Sequence, residues 1–415
     1  MKALTFLLMF ALLCQCKKAE EPKVNIPDNS FLRALIDLNV DTNHDGNISP
    51  SEAEAVTSLK VNEKNISDLK GIESFVNLDT LWCGWNHLTS LDISKNIKLS
   101  SLSCEHNPLG SLDISLLPKL KKLNCSYNRL EVLDVSANPL IVSLICERDS
   151  LKNLDITSLS RLEFLDFSYN RLTTIDLSNN SDLREIYCYY NRMTSLDLHN
   201  NGSLFNLDCS RNQLASLDVS KSPMLNLLIC EVNSLTSLDL TLNNLLTGLA
   251  CGYNLLTQLD LSKNPRLRDF RCQNNKLTSL DLSKNISLSY LICDQNQLSY
   301  LDLTHNIALD DFTCSQNQLT SLDLSKNPKL YSVDCSQNKL INLDISGCTA
   351  IMKLNCDSNL FTFLDLSHNS TLEDISIQNM PTLLKVCTWT LPMPNGAFWP
   401  NQRGSTNVKY STDCI

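Results

Sequence analysis

Glycine and aromatic residues are scarce in this sequence. Of 415 residues, ten are glycine and 6% are aromatic, so neither a glycine-rich nor a disordered class describes the chain. Cationic side chains are also in deficit, because 45 Asp and Glu outnumber 35 Lys and Arg and give a net charge of −10. Nucleic acids attract proteins that present a basic surface. We therefore expect neither DNA nor RNA as a partner.

Signatures of catalysis are missing as well. The sequence contains no nucleophile elbow, phosphate-binding loop or zinc-protease motif. Its six histidines include no pair at the i, i+4 spacing that places two metal ligands on one helix face. Carboxylates are plentiful, but they recur in every repeat, as scaffold residues do. We expect a protein that is not an enzyme.

The sequence is organised as a repeat of 21 residues. Asp follows Leu or Ile at position 92 and at every 21st position to Asp365, and Asn recurs from Asn86 to Asn359 with Asp149 as its one substitute. Three residues before each of these Asn positions stands a cysteine, replaced once by Phe167. A fixed period of about 20 to 50 residues is typical of a solenoid, in which each turn, or rung, contacts only its neighbours.

Thirteen cysteines share one column of this repeat. Equivalent residues on adjacent rungs of a parallel sheet lie about 4.8 Å apart and point the same way. A disulfide needs converging Cβ atoms about 3.8 Å apart. We therefore expect buried free thiols that fill the core as small apolar groups. A strip that binds a soft metal is the alternative, although all its ligands would approach the ion from one side.

The Asp column also allows two interpretations. Carboxylates about 4.8 Å apart repel one another unless they are solvated, hydrogen-bonded or neutralised. Ser or Thr follows two residues later in all but one repeat, which favours an Asp that accepts a hydrogen bond within its own turn. A row of weak Ca²⁺ sites is the alternative.

The N-terminus predicts export. Residues 1–15 combine a charged start with an apolar run of 11 residues, which is typical of a signal peptide and too short to cross a bilayer. The stretch Leu13-Cys14-Gln15-Cys16 resembles a bacterial lipoprotein signal. This resemblance implies lipidation of Cys16, a tether over residues 16–26 and anchoring to the cell envelope, at the outer membrane or cell surface. Ordinary secretion is the alternative.

Residues 27–58 predict a helical cap that contains a metal site. Apolar residues from Phe31 onward give its first helix one apolar face. The twelve residues from Asp41 resemble an EF-hand or dockerin calcium loop, with Gly46 at the sharp bend. Ser49 to Glu52 also match a helix capping box, and both interpretations can hold together. The resemblance implies a structural Ca²⁺ bound by Asp41, Asn43, Asp45, Asn47, Ser49 and Glu52.

From Leu78 the repeat reads L-x-x-L-x-C-x-x-N-x-L-x-x-L-D-L-S-x-N-x-x. It is similar to the leucine-rich-repeat consensus and, with the helical cap, resembles the internalin-like proteins of bacterial surfaces. The resemblance implies a mostly parallel β solenoid over residues 59–380, with fifteen cysteine-type rungs and an irregular first one. Since neither half of the unit has room for a helix, we expect shallow curvature.

The repeat is expected to stop after residue 380. Residues 381–415 then form a C-terminal cap, because an exposed last rung would invite pairing with another chain. Cys387 and Cys414 lie outside the cysteine column of an exported chain. We expect them to close this cap with a disulfide.

One column varies while the rest of the frame is constant. It lies two residues after each cysteine position, is rich in aromatic and Arg residues as far as Tyr253, and then turns to Asn and Gln. Aromatic and Arg side chains are the usual anchors of interfaces, so we expect a ligand face on this column and on adjacent strand positions. Its predicted residues are Trp82, Trp85, His106, Tyr127, Arg148, Tyr169, Tyr187, Tyr189, Tyr190, Arg211 and Tyr253.

The ligand class follows only from the family resemblance. Internalin-like proteins imply a protein partner, bound by a monomeric adhesin or host-contact factor at the cell surface. A polysaccharide-binding component of a nutrient-capture system is one alternative, since aromatic side chains also suit sugar rings. An envelope spacer without a ligand is the other.

Overall fold

The computed structural model describes residues 22–391, 403–405 and 408–414. The predicted signal peptide and Cys16 lie outside these residues. Two short helices open the described chain, α1 at Asn29–Asp37 and α2 at Pro50–Ala55, and a 3-10 turn follows at Ile72–Ser74. Among the described residues, no helix has the length and apolar character needed to cross a membrane.

The strands are all three residues long and follow the 21-residue period. In chain order they are β1 (Ser58–Lys60), β2 (Thr80–Trp82), β3 (Ser101–Ser103), β4 (Lys122–Asn124), β5 (Ser143–Ile145), β6 (Phe164–Asp166), β7 (Glu185–Tyr187), β8 (Asn206–Asp208), β9 (Leu227–Ile229), β10 (Gly248–Ala250), β11 (Asp269–Arg271), β12 (Tyr290–Ile292), β13 (Asp311–Thr313), β14 (Ser321–Asp323), β15 (Ser332–Asp334), β16 (Asn342–Asp344), β17 (Lys353–Asn355), β18 (Phe363–Asp365), β19 (Asp374–Ser376), β20 (Lys385–Cys387) and β21 (Lys409–Ser411).

Sixteen of these strands form one parallel sheet, which runs from β1 to β13 and continues through β15, β17 and β19. Leu81 pairs with Leu102, and Leu102 pairs with Leu123, so each residue lies beside its equivalent on the next rung. The second half of the unit forms strands only near the C-terminus, where β14 pairs with β16 and β20 lies between β18 and β21. The predicted parallel solenoid of about sixteen rungs is confirmed.

The core is filled by the central strand residue and the cysteine that follows the strand. Leu102 and Cys104, for example, are 1% and 0% exposed. All thirteen cysteines of the column are buried and free, as predicted. Burial raises the pKa of thiols such as Cys104 and Cys125 well above the ordinary value, so the reactive thiolate is not populated. Cys348, outside the column, is also free and buried.

Two columns of buried Asn side chains connect successive rungs. In the first, Nδ2 of Asn170 donates to the carbonyl oxygens of Cys146 (2.8 Å) and Phe167 (3.0 Å). In the second, Nδ2 of Asn180 donates to the carbonyl oxygen of Ile156 on the preceding rung, at 3.0 Å. Buried backbone carbonyls in a turn need such partners. The side chains therefore do in the turns what the strand ladder does in the sheet.

One carboxylate attaches the helical cap to the solenoid. Oδ1 of Asp28 accepts hydrogen bonds at the start of α1, including one from Phe31 N at 3.0 Å. Its Oδ2 accepts from the backbone N–H groups of Ser67 (2.8 Å) and Asp68 (3.0 Å) in the first repeat. Asp28 therefore caps the helix and also fixes the helix against the first rung.

The C-terminal end is closed as predicted. A disulfide joins Cys387, at the end of β20, to Cys414, and their Cα atoms are 5.5 Å apart. Val386 beside it is fully buried. The strand pairing thus continues past residue 380 by one further strand. A disulfide that closes a loop of this length stabilises the fold by about 3 kcal/mol.

Candidate functional site

The column predicted to carry the ligand face has an uncommon backbone conformation. In all fifteen rungs from Trp85 to Asn379, the residue two positions after the cysteine position has φ between +52° and +59°. This left-handed conformation costs a non-glycine residue about 1 kcal/mol or more, and glycine avoids that cost. None of the fifteen is glycine, although Gly84 and Gly252 stand directly before two of them. The column therefore keeps its side chains against the preference of the backbone.

In the N-terminal half of the column, side chains from seven consecutive rungs stack on one another. Ring centroids are 3.5 Å apart between Trp85 and His106, and 3.8 Å apart between His106 and Tyr127. The guanidinium carbon of Arg148 lies 5.4 Å from the ring centroid of Tyr127. We call this feature the stacked strip, and its residues are Trp85, His106, Tyr127, Arg148, Tyr169, Tyr190 and Arg211.

The stack continues without a gap beyond Arg148. Its guanidinium carbon lies 3.9 Å from the ring centroid of Tyr169, and the rings of Tyr169 and Tyr190 stack at 4.7 Å. Arg211 covers Tyr190 at 5.8 Å. Aromatic pairs and cation–π contacts each contribute about 0.5–1.5 kcal/mol. The contacts therefore hold these side chains in place before any ligand arrives.

The stacked strip ends where the column changes composition. Val232 follows Arg211, and Tyr253 is 47% exposed and has no ring partner among the described residues. Further on, Nδ2 of Asn274 donates to Oε1 of Gln295 at 2.6 Å. The predicted residue Tyr253 is therefore separate from the stack. The Asn and Gln half presents a polar surface with the same backbone conformation.

Three predicted residues lie on the strands beside the strip. Tyr189 packs edge-on against Tyr169, with ring centroids 5.0 Å apart. The hydroxyl of Tyr187 donates to Oε2 of Glu185 at 2.9 Å. Burial raises the pKa of Tyr187 and of Tyr189 to about 12, so both hydroxyls stay protonated and can donate. Trp82 lies farther toward the N-terminus, under the ammonium group of Lys60.

A groove follows the other side of the strip over its first rungs. Its volume is about 460 Å³, and no carboxylate lines it. Sequence reasoning missed His87 and Arg129 in its lining. They occupy the column four residues after the cysteine position, whose run of Arg residues was the available signal. The lining residues are Trp85, Asn86, His87, His106, Asn107, Pro108, Tyr127, Arg129 and Arg148.

The outward face of the sheet carries the opposite charge. Over the rungs from β2 to β19, the two outward strand positions and the residue after the cysteine hold three cationic side chains, Lys122, Arg271 and Lys353. They hold twelve carboxylates, on Glu105, Glu147, Asp166, Glu185, Asp208, Glu231, Asp269, Asp294, Asp311, Asp334, Asp357 and Asp374. Most of the net negative charge of the chain thus lies on this one face.

The sequence matches neither a protein-family model nor a curated protein. Among solved structures, the functional domain of InlJ from Listeria monocytogenes is 37% identical, with a TM-score of 0.69, and the match covers 82% of this chain and 71% of that one. Its cysteine ladder corresponds to the buried thiol column described above. This chain belongs to the internalin-like leucine-rich-repeat proteins.

Two more distant structures agree on the fold alone. InlF from Listeria monocytogenes is 22% identical, with a TM-score of 0.70, and the match covers 75% of this chain and 96% of that one. A leucine-rich-repeat protein of Leptospira interrogans is 20% identical, with a TM-score of 0.71 and coverage of 87% and 93%. Leucine-rich-repeat proteins of this kind are generally non-catalytic binding scaffolds, found on the surface or secreted.

The Asp column of this internalin-like protein organises its own turns. In all fourteen repeats the Asp Oδ1 accepts from the backbone N–H two residues later, as Asp92 does from Ser94 at 3.0 Å and Asp239 from Thr241 at 2.9 Å. These hydrogen bonds lower the pKa of Asp92 and Asp239. Each carboxylate is therefore used inside its rung, which supports the turn interpretation of the column.

The loop predicted to bind calcium folds around its own backbone. Gly46 has a φ of +79°, where other residues would be strained. Oδ2 of Asp41 accepts from Gly46 N at 2.9 Å. Asn43 and Asp45 accept from backbone N–H groups two residues later, at 2.9 Å and 2.8 Å. The bend that an EF-hand-like loop requires is therefore present.

Glu52 joins the two ends of this loop. It is 8% exposed, and its two oxygens accept hydrogen bonds from Thr42, Asn43 and Ser49 at 2.8–3.3 Å. Burial alone raises its pKa, but the hydrogen bonds from Ser49 and Thr42 outweigh burial and lower the pKa to about 2. The carboxylate is therefore ionised at any pH at which the protein functions.

Proposed function

We propose that the chain is a non-catalytic binding protein of the cell surface that contacts a protein partner through the stacked strip, in adhesion or host-cell contact. The observation that carries the proposal is the continuous stack from Trp85 to Arg211 on seven rungs. Side chains that are already ordered lose little further entropy on binding. Trp, Tyr and Arg are also the residues that dominate the energetics of protein interfaces.

The backbone of the strip supports the same proposal. Every residue of the strip lies in the left-handed region, where glycine would be more stable. A pure spacer would gain stability from glycine at these positions and would lose nothing. Retention of aromatic and Arg side chains on seven rungs therefore favours a contact surface over the envelope spacer.

The stacking favours a protein over a polysaccharide. A sugar ring binds an aromatic side chain by lying on its exposed face. In the strip, the faces of His106, Tyr127 and Tyr169 are covered by neighbours on adjacent rungs. What they expose are ring edges and hydroxyl groups, which donate and accept hydrogen bonds. Trp85 and Tyr190, the exposed aromatic residues of the strip, are 52% and 50% exposed.

The experiment compares two double variants of the same column. Tyr169→Ala/Tyr190→Ala removes two rings from the strip, and Gln295→Ala/Gln316→Ala removes two side chains with the same backbone conformation from its polar half. Binding of the labelled protein to cultured cells, before and after protease treatment of the cells, is the measurement. We expect loss of protease-sensitive binding only in the tyrosine variant. Equal binding by both variants would contradict the proposal, and binding that survives protease but not glycosidase would favour the polysaccharide.

The location rests on the N-terminal sequence. We propose that Cys16 carries a lipid and that residues 16–26 tether the monomeric solenoid to the cell envelope. An exposed rung face then stands away from the membrane, where a large partner can reach it. Incorporation of labelled fatty acid into the wild-type protein, and its loss in Cys16→Ala, would support this; release of both proteins into the medium would contradict it.

We also propose that the cap binds one structural Ca²⁺. The donors suit a hard cation, since Asp41, Asn43 and Asp45 supply oxygens at alternate positions of a tight loop. In the described conformation, the carboxylates of Asp41, Asp45 and Glu52 do not come within 4.8 Å of one another. Binding would therefore require Glu52 to exchange hydrogen bonds for the ion.

A further inference from the structure

The stacked strip belongs to a wider band that is basic in an acidic protein. The column four residues after the cysteine position runs beside the strip over the same seven rungs. Together the two columns contain five arginines and no carboxylate, although the chain as a whole has a net charge of −10. We call this band the arginine edge, and its cationic residues are His87, His106, Arg129, Arg148, Arg171, Arg192 and Arg211.

Most of these arginines have no anionic partner within the protein. Among the described residues, the one ion pair on the arginine edge joins Arg148 to Glu147 at 3.5 Å. Arg129, Arg171 and Arg192 are exposed and form no ion pair in the part of the chain that the structure describes. A guanidinium group offers paired donors that match a carboxylate. These groups are therefore available to an anionic ligand.

The charge of the adjacent surface restricts what that ligand can be. The sheet face beside the arginine edge carries twelve carboxylates against three cationic groups. The two surfaces are adjacent, because the residue after each cysteine lies on one and the next residue lies on the other. This separation is shorter than the screening length of about 8 Å at physiological salt. A uniform polyanion on the arginine edge would therefore also be repelled by the sheet.

A folded protein can present charges of both signs at that spacing, whereas a sulfated polysaccharide cannot. We propose that the arginine edge binds an acidic segment of the protein partner, with Asp and Glu side chains paired to Arg129, Arg171 and Arg192. This inference rests on the proposed function, because the stacked strip and the arginine edge form one surface. It adds the chemistry of the partner, which the family does not specify.

The test uses a fluorescent oligoglutamate peptide as the probe. Seven rungs at about 4.8 Å span roughly 29 Å, which an extended peptide of about ten residues matches. The altered protein is Arg129→Ala/Arg171→Ala/Arg192→Ala. Its control is Lys263→Ala/Lys284→Ala/Lys326→Ala, which removes the same charge from exposed residues of the turn column beside the Asp series. Fluorescence anisotropy at low and physiological salt gives the affinities.

We expect the arginine variant to bind the peptide about ten- to a hundredfold more weakly, since three exposed charge pairs contribute about 0.5–1 kcal/mol each. The lysine control should bind as the wild type does. Equal loss in both variants would mean that only net charge matters and would overturn the proposal. Tighter, arginine-dependent binding of heparin than of the peptide would overturn it in favour of a polyanionic sugar.

These outcomes are distinct from failure of the proposed function. Cell binding in the tyrosine experiment depends on the rings of Tyr169 and Tyr190, which the arginine variant keeps. If the peptide binds in an arginine-dependent manner but cells are bound equally by both column variants, the anion site stands and the adhesion role does not. The reverse result removes the acidic segment and leaves the protein partner.

Discussion

Asp149 interrupts the Asn column, and its replacement by Asn should stabilise the protein in a pH-dependent way. Oδ1 of Asp149 accepts from Asn128 N (2.9 Å) and Leu130 N (3.1 Å), as an Asn would. Its Oδ2 is buried and has no hydrogen-bond partner. In this column the Asn amide donates to the carbonyls of the cysteine positions on its own and the preceding rung, which here are Cys146 and Cys125. An ionised carboxylate cannot donate, so Asp149 fits the rung only when it is protonated.

The magnitude follows from the pKa. Burial outweighs the hydrogen bonds from Leu130 and Asn128 and raises the pKa of Asp149 from 3.8 to about 7. The thiols of Cys125 and Cys146 beside it stay neutral, because burial raises the pKa of each well above the ordinary value. The folded state thus holds a proton that the unfolded state releases between about pH 4 and pH 7.

The sign is that of a raised acid pKa. Stability from this group is complete below about pH 4, falls by about 1.4 kcal/mol per pH unit and is lost above about pH 7. The whole difference is about 4 kcal/mol, of which a solenoid can relieve part by local opening of the rung. Asp149→Asn should therefore raise the free energy of unfolding by about 2–4 kcal/mol at pH 8 and by much less at pH 4.5.

Urea unfolding of both proteins at pH 4.5, 6 and 8, followed by circular dichroism, measures this difference. Asp239→Asn is the matched control, because its carboxylate is exposed and used inside its turn. Burial does not raise its pKa, so its effect should not grow over this range. A gain from Asp149→Asn that is the same at pH 4.5 and pH 8 would refute the reasoning.

Three further predictions concern the caps and the core. Asp28→Ala should lower the free energy of unfolding by about 2 kcal/mol, because it removes a helix cap and two hydrogen bonds between α1 and the first repeat; an unchanged urea midpoint would contradict this. A thiol reagent should label none of the buried column cysteines in the native protein and all of them in denaturant, as mass spectrometry can show; rapid native labelling would contradict the packed core. Calcium should raise the melting temperature of the wild type but not of Asp45→Ala, whereas Glu52→Gln should lower stability even in chelator, because Glu52 holds the loop together without an ion. A melting temperature that is equal in calcium and chelator for the wild type would contradict the calcium proposal.

Sequence reasoning predicted the architecture because the architecture is periodic. A fixed spacing of 21 residues places equivalent side chains on adjacent rungs whatever the ligand. The free thiols and the disulfide between Cys387 and Cys414 followed from that spacing and from the known geometry of disulfides. The turn role favoured for the Asp column followed from the Ser or Thr two residues later.

The candidate site was predicted as a set of residues but not as a structure. The variable column was visible, and so were its aromatic and Arg residues. Its left-handed backbone was not, since left-handed residues are usually glycine and this column contains none. Tyr253 fitted the same pattern yet lies outside the stack, because Val232 offers no ring or guanidinium group to bridge the gap.

The sequence by itself determined the repeat, the core and the two caps, because these depend on residue types at fixed spacing. The tertiary structure decided which side chains of that frame touch. Stacking of Arg148 between Tyr127 and Tyr169, the unpaired Oδ2 of Asp149 and the placement of the arginine edge beside an acidic sheet all join residues about one period apart. Such contacts depend on side-chain rotamers and on burial across rungs, and a one-dimensional pattern specifies neither.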